Sequence, residues 1–133
     1  MKDKKVIQSE RAPSPIGPYS QAILVDRFLY VSGQIALNEN GDLVTANIEA
    51  ETHQVMHNLE AILMEAGMDF SNVVKCSIFV KDLNNFAAIN EVYGSYFYET
   101  APARETVEVS RLPKDVNVEI SCIAFKAQRD YVS

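Results

Sequence analysis

The sequence is short of basic residues, of cysteine and of long hydrophobic runs. Lysine and arginine total 12 against 18 acidic residues, a formal charge of -6. No basic cluster occurs beyond "KDKK" at residues 2–5, which reads as a solvated end. A nucleic-acid-binding surface normally needs a basic patch interleaved with aromatics, so polyanion partners are disfavoured. The two cysteines, Cys76 and Cys122, lie inside apolar alternating runs. That pattern fits reduced, buried thiols in a cytosolic protein and not a disulfide framework. No apolar run approaches the ~20 residues of a membrane helix. The charged N-terminus also lacks the apolar core of a secretory signal, so the expected location is cytoplasmic.

What is present describes one globular domain. The chain has 133 residues, 47% of them hydrophobic. A chain of that size buries roughly 68% of its unfolded surface, enough for a core without disulfides or metal. One domain is expected over residues 1–133, with its core at about residues 5–127 and a loose tail, "QRDYVS", at 128–133.

Three prolines and a glycine crowd residues 13–23, "PSPIGPYSQAI", which reads as a stiff loop presenting Tyr19, Ser20 and Gln21. "RFLYVSGQIAL" follows as a strand and "NENGD" as its turn. In "NIEAETHQVMHNLEAILMEAG", Val55, Leu59, Ile62, Leu63 and Ala66 recur at helical spacing. Acidic residues fill its first turn and Gly67 ends it. "NVVKCSIFVKDL" is a strand with Val74, Cys76, Ile78 and Val80 on one face. "NNFAAINEVYGSYFYE" is a second helix, capped by Asn84 or Asn85, with Phe86, Ile89, Tyr93 and Phe97 as its stripe. "ARETVEVS" and "VNVEISCIAFKA" complete the strands. Two helices and one sheet make an α+β sandwich of two layers. The sheet face without helices keeps Ile, Phe and Val, so a homo-oligomer is expected.

Few residues carry obvious chemistry. His53 and His57 stand at i, i+4, half of a possible metal site, but opposite the apolar stripe, and no other Cys, His or Asp completes a ligand set. "VSGQI" is no phosphate loop. Asn90 sits at the edge of the second helix's stripe. Its amide either satisfies a nearby loop or opens into a cleft. Arg104 and Glu119 sit in the last two strands, joined through "LPKD", where they would share a face of paired strands. They read either as a plain ion pair or as a cleft with one guanidinium and one carboxylate. A guanidinium grips a carboxylate through two parallel bonds, and a part-buried carboxylate serves as base or acid.

In combination, "PIGPYSQA", "YVSGQI", "FAAINEVYGSYF" and "APARETVEVSRLPKDVNVEIS" resemble the RidA (YjgF/UK114) family over nearly the whole chain. The resemblance implies a chorismate-mutase-like fold, one mixed sheet with two helices on one face, assembled as a homotrimer with sites between subunits. It implies hydrolysis of 2-iminobutanoate and 2-iminopropanoate, products of pyridoxal-phosphate-dependent dehydratases, to 2-oxoacids and ammonia, without metal or organic cofactor. It assigns the carboxylate clamp to Arg104 and the water-activating group to Glu119. Substrate contacts fall on Tyr19, Ser32, Gly33 and Asn90. Two departures stand out. A position often serine is Glu105, and one often cysteine is Thr106, leaving the residue 106 main chain as a hydrogen-bond partner for the imine nitrogen. Two other functions compete: a non-catalytic trimer binding small acids, and a translation inhibitor or endoribonuclease-like protein.

Overall fold

Asp26 turns the first hairpin. Its φ of 55° is a left-handed conformation that aspartate tolerates better than most residues. It joins β2 (Ala22–Val25) to β3 (Phe28–Gln34), paired antiparallel from Val25↔Phe28 to Ala22↔Val31. A short β1 (Lys5–Ile7) pairs with β2, so the basic end is partly strand and residues 22 and 23 belong to the hairpin, not the loop. The computed structural model describes residues 3–127; the expected tail at 128–133 lies outside them.

The long helix α1 (Ile48–Glu65) begins where Asn47 accepts a hydrogen bond from the Ala50 N–H, and ends before Gly67 at φ 73°. Its stripe of Val55, Leu59, Ile62 and Leu63 is fully buried. Each such side chain contributes about 1.5–3 kcal/mol. The same helix also buries Glu51, Thr52 and Asn58.

The next strand, β4 (Val73–Val80), differs from its expected register. A shift against β6 between Val73 and Lys75 turns Val73 inward and leaves Val74 exposed. From Cys76 onward the expected face holds, and Cys76, Ile78 and Val80 are buried. The second helix, α2 (Phe86–Gly94), is shorter than its apolar pattern suggested. Asn85 stands at its start without a side-chain cap. Asp82 instead accepts from the Asn84 N–H and starts the preceding 3-10 turn. Ile89 and Tyr93 are buried, and Phe97 packs on the core from beyond the helix end.

The last strands are β5 (Ala103–Glu108) and β6 (Val118–Phe125). The sheet order is β1-β2-β3-β6-β4-β5, with only β4 and β5 parallel. Val118, Ile120, Cys122 and Ala124 face the helices as expected. The other face carries Phe28, Tyr30 and Val107, each large and exposed, beside half-buried Phe79, Ile123 and Phe125. Cys76 and Cys122 are free, buried and directly opposite each other on paired strands. No helix among the described residues is long and apolar enough to cross a membrane.

Candidate functional site

Arg104 and Glu119 do not sit on paired strands. β4 lies between β5 and β6, and the registers Cys76↔Arg104 and Phe79↔Glu119 place them on opposite faces of the sheet. The hairpin expected around "LPKD" does not form. Leu112–Asp115 carries the chain past the end of β4, where Val109 N–H bonds the Val80 carbonyl and Lys81 N–H the Asn117 carbonyl. A plain Arg104–Glu119 ion pair is therefore absent.

Arg104 turns toward the helix layer. Its Nη1 donates to Asn90 Oδ1 at 2.7 Å. Its guanidinium carbon lies 5.1 Å from the centre of the Tyr93 ring and 5.6 Å from that of Phe86. Phe86, Asn90 and Tyr93 recur at i, i+4 and i+7, so one face of α2 supplies all three contacts. Asn90 thus satisfies a side chain, not the loop backbone offered as one alternative. Among the described residues the ion pairs are Lys75–Glu105 and Lys81–Asp115, so Arg104 retains donors that no carboxylate occupies. Two buried hydroxyls near it, Tyr93 Oη and Thr106 Oγ1, lack a hydrogen-bond partner. Such groups cost about 1–3 kcal/mol each when left unpaired. Burial raises the Cys76 thiol above its ordinary range, more than the nearby Arg104 charge lowers it. It is no ready nucleophile.

β5 is the sheet edge. Because Val109 N–H is spent on Val80, alternation turns the Thr106 N–H away from β4 toward that open edge. Glu105 points to the other face, where it pairs with Lys75 at 3.0 Å and accepts from Ser77 Oγ. Those contacts hold its carboxyl below the usual carboxylate range, the Ser77 bond most of all.

Glu119 sits on the face without helices. Its carboxylate lies against the Cα of Gly33, where a Cβ would collide with it. Burial alone raises its pKa above the ordinary 4.5. A cleft of about 40 Å³ adjoins it, lined by Tyr19, Gly33, Pro13, Ile16 and Gln21 among others. Tyr19 is held by accepting from the Ile16 N–H. Ser32 donates its hydroxyl to the Ser20 carbonyl at 2.6 Å, tying the strand to the same loop. The structure thus gathers Tyr19, Ser32, Gly33 and Glu119 into one group and Asn90, Arg104 and Thr106 into another.

The anchor of the loop is Gln21, a buried amide bonded to Ser9, Ala12 and Pro13. Only its fixed place after the proline run hinted at that. Phe86 and Tyr93 were legible only as core stripe. His53 and His57 are exposed, and His53 Nδ1 lies 2.8 Å from Tyr96 Oη.

A family model described as Endoribonuclease L-PSP matches residues 9–126. A RutC family protein of Pyrococcus abyssi is 54% identical over 124 residues, covering 92% of this chain and 98% of its own. A rat protein named 2-iminobutanoate/2-iminopropanoate deaminase is 47% identical over 124 residues, covering 92% and 90%. The crystal structure of Escherichia coli TdcF with bound serine superposes with a TM-score of 0.89 at 39% identity, covering 92% and 99%.

Proposed function

The chain belongs to the RidA/YjgF family, and from that premise we propose that it is a reactive-intermediate deaminase hydrolysing 2-iminobutanoate and 2-iminopropanoate to 2-oxoacids and ammonia. The observation that carries the proposal is Arg104: a guanidinium oriented by Asn90 and two rings, with donors left for a ligand carboxylate. The rat relative is named for this activity, and the serine bound to TdcF carries the same α-carboxylate.

In this reading Arg104 clamps the substrate carboxylate, and the outward Thr106 N–H meets the imine nitrogen. The carbon of a neutral imine whose nitrogen lone pair accepts that hydrogen bond is already electrophilic, so positioning and one polarised water suffice. Glu119 takes a proton from that water as its oxygen bonds the carbon. The C=N electron pair passes to nitrogen, which takes up the proton from Glu119. The carbinolamine hydroxyl proton then follows the same route as the C–N bond breaks, so that ammonia leaves, the 2-oxoacid remains and Glu119 is again a carboxylate. The raised pKa of Glu119 makes it a better base than a free carboxylate. The cleft beside it has room for a water or two, not for the substrate. Because Arg104 and Glu119 lie on opposite faces, the complete site joins Arg104 of one chain to Glu119, Gly33 and Tyr19 of another. The apolar residues exposed on the bare sheet face support association as a homotrimer.

The test couples the purified chain to a serine or threonine dehydratase and follows 2-oxoacid release. A rate rising with added chain supports the proposal. Saturable 2-oxobutanoate binding with no acceleration would leave a small-acid-binding trimer instead.

A further inference from the structure

A second cavity lies in the helix layer; its lining ring Phe97 packs on Tyr93 at 4.9 Å between centroids, but neither Arg104 nor Glu119 lines it. Its volume is about 710 Å³, within the range of sites for small organic ligands, and it shares no lining residue with the cleft beside Glu119. Its walls are formed where α1, the turn at residues 69–71 and the segment after α2 meet.

The wall chemistry is one-sided. Phe70, Tyr96, Phe97 and Tyr98 supply rings, while Glu60, Asp69 and Glu99 supply carboxylates from three separate elements. Among the described residues no lysine or arginine lines it. The rings are set steeply to one another: Phe70 meets Tyr96 at 59° and Phe97 at 76°, with centroids 5.3 and 5.5 Å apart. Tyr96 is held in place by His53 Nδ1 at its hydroxyl. Tyr98 is 95% exposed, a large aromatic with almost nothing packed on it. Asp69 Oδ1 already accepts from Ser71, but Glu60 and Glu99 have no hydrogen bond or ion pair among the described residues.

Aromatic faces attract cations through their quadrupole, and a low-dielectric wall focuses the field of nearby carboxylates. An anion would meet three like charges here, and a neutral apolar ligand would gain nothing from them. We propose that this cavity is a binding site for a small organic cation of the alkylammonium class, caged by Tyr96, Phe97 and Tyr98 and balanced by Glu60 and Glu99.

The test uses the full chain with choline as probe and 3,3-dimethylbutan-1-ol as its neutral isostere. Calorimetry should show saturable choline binding, with the isostere at least about tenfold weaker. Amide NMR shifts should fall on Ser71, Ser95 and Thr100. Tyr98→Ala and the pair Glu60→Gln with Glu99→Gln should each weaken choline without changing the melting temperature or imine hydrolysis. Tyr98 is exposed, so its loss leaves the fold intact. Equal binding of the isostere, shifts confined to other residues, or no saturable binding of choline would overturn the proposal.

Discussion

The Glu119 carboxylate occupies the space that a Cβ on Gly33 would need. Alanine at 33 puts a methyl group where the carboxylate lies, and since Gly33 is not left-handed, backbone strain is not the issue. Gly33→Ala should therefore keep its fold and lose turnover by roughly tenfold or more, because a displaced base no longer reaches the water. Melting temperature beside specific activity checks this. Glu119 itself sets a pH limb. Its carboxyl is raised above 4.5 by burial, so the base is lost as pH falls through a value above that of a free glutamate. Turnover should drop on that side, and Glu119→Gln should lack the limb while losing roughly 10²–10⁴-fold in rate. The stability sign is opposite to that of an ion-paired carboxylate. A raised acid pKa means the folded chain binds the proton more tightly than the unfolded one. Its charged form then costs stability as pH rises from 4.5 through the folded value. Glu119→Gln should accordingly melt no lower than wild type at neutral pH; a clear drop would mark the carboxylate as structural.

Among the elements, α1 does more than cover the sheet. Glu51, fully buried in its first turn, accepts from Asn117 N–H and Nδ2, both at 2.7 Å, just ahead of β6 and Glu119. Asn58, two turns on, donates to the Ile35 and Leu37 carbonyls at 3.0 and 2.8 Å. Glu51→Ala leaves two part-buried donors of Asn117 unmet and should lower unfolding free energy by about 1–3 kcal/mol, measured by denaturant titration. The sequence signal was present, since residues 51, 55, 58 and 62 run along one helical stripe, but an acidic residue in a first turn reads more simply as a partner for the helix dipole. Elements with strong periodicity were legible: α1, β3, β6 and most of β4. What failed depended on pairing. The bulge that exposes Val74 is set by β6, and β1 has too few residues to announce itself. The helical pattern beyond Gly94 packs on the core without a helix. Adjacency in sequence suggested a β5–β6 hairpin, but a parallel β4–β5 pair takes that place, and strand order is not written in any local pattern.

For the whole molecule, that strand order decides the account. The types of the proposed site residues were readable through family resemblance and strand alternation; their division between two faces was not, because it follows from β4 lying between β5 and β6. Under the proposed function each chain supplies two half-sites, Arg104 with Asn90 on the helix side and Glu119 with Gly33 on the bare side. That proposal requires copies of the chain to meet before either half-site works. Light scattering should give the mass of three chains. The most direct measurement mixes two inactive variants, Arg104→Ala and Glu119→Gln, by co-refolding. If the site joins neighbouring chains in a ring, random reassortment leaves roughly three quarters of trimers mixed, each with one intact site in three. The mixture should then regain about a quarter of wild-type activity. A mixture no more active than its two parents would contradict a site shared between chains.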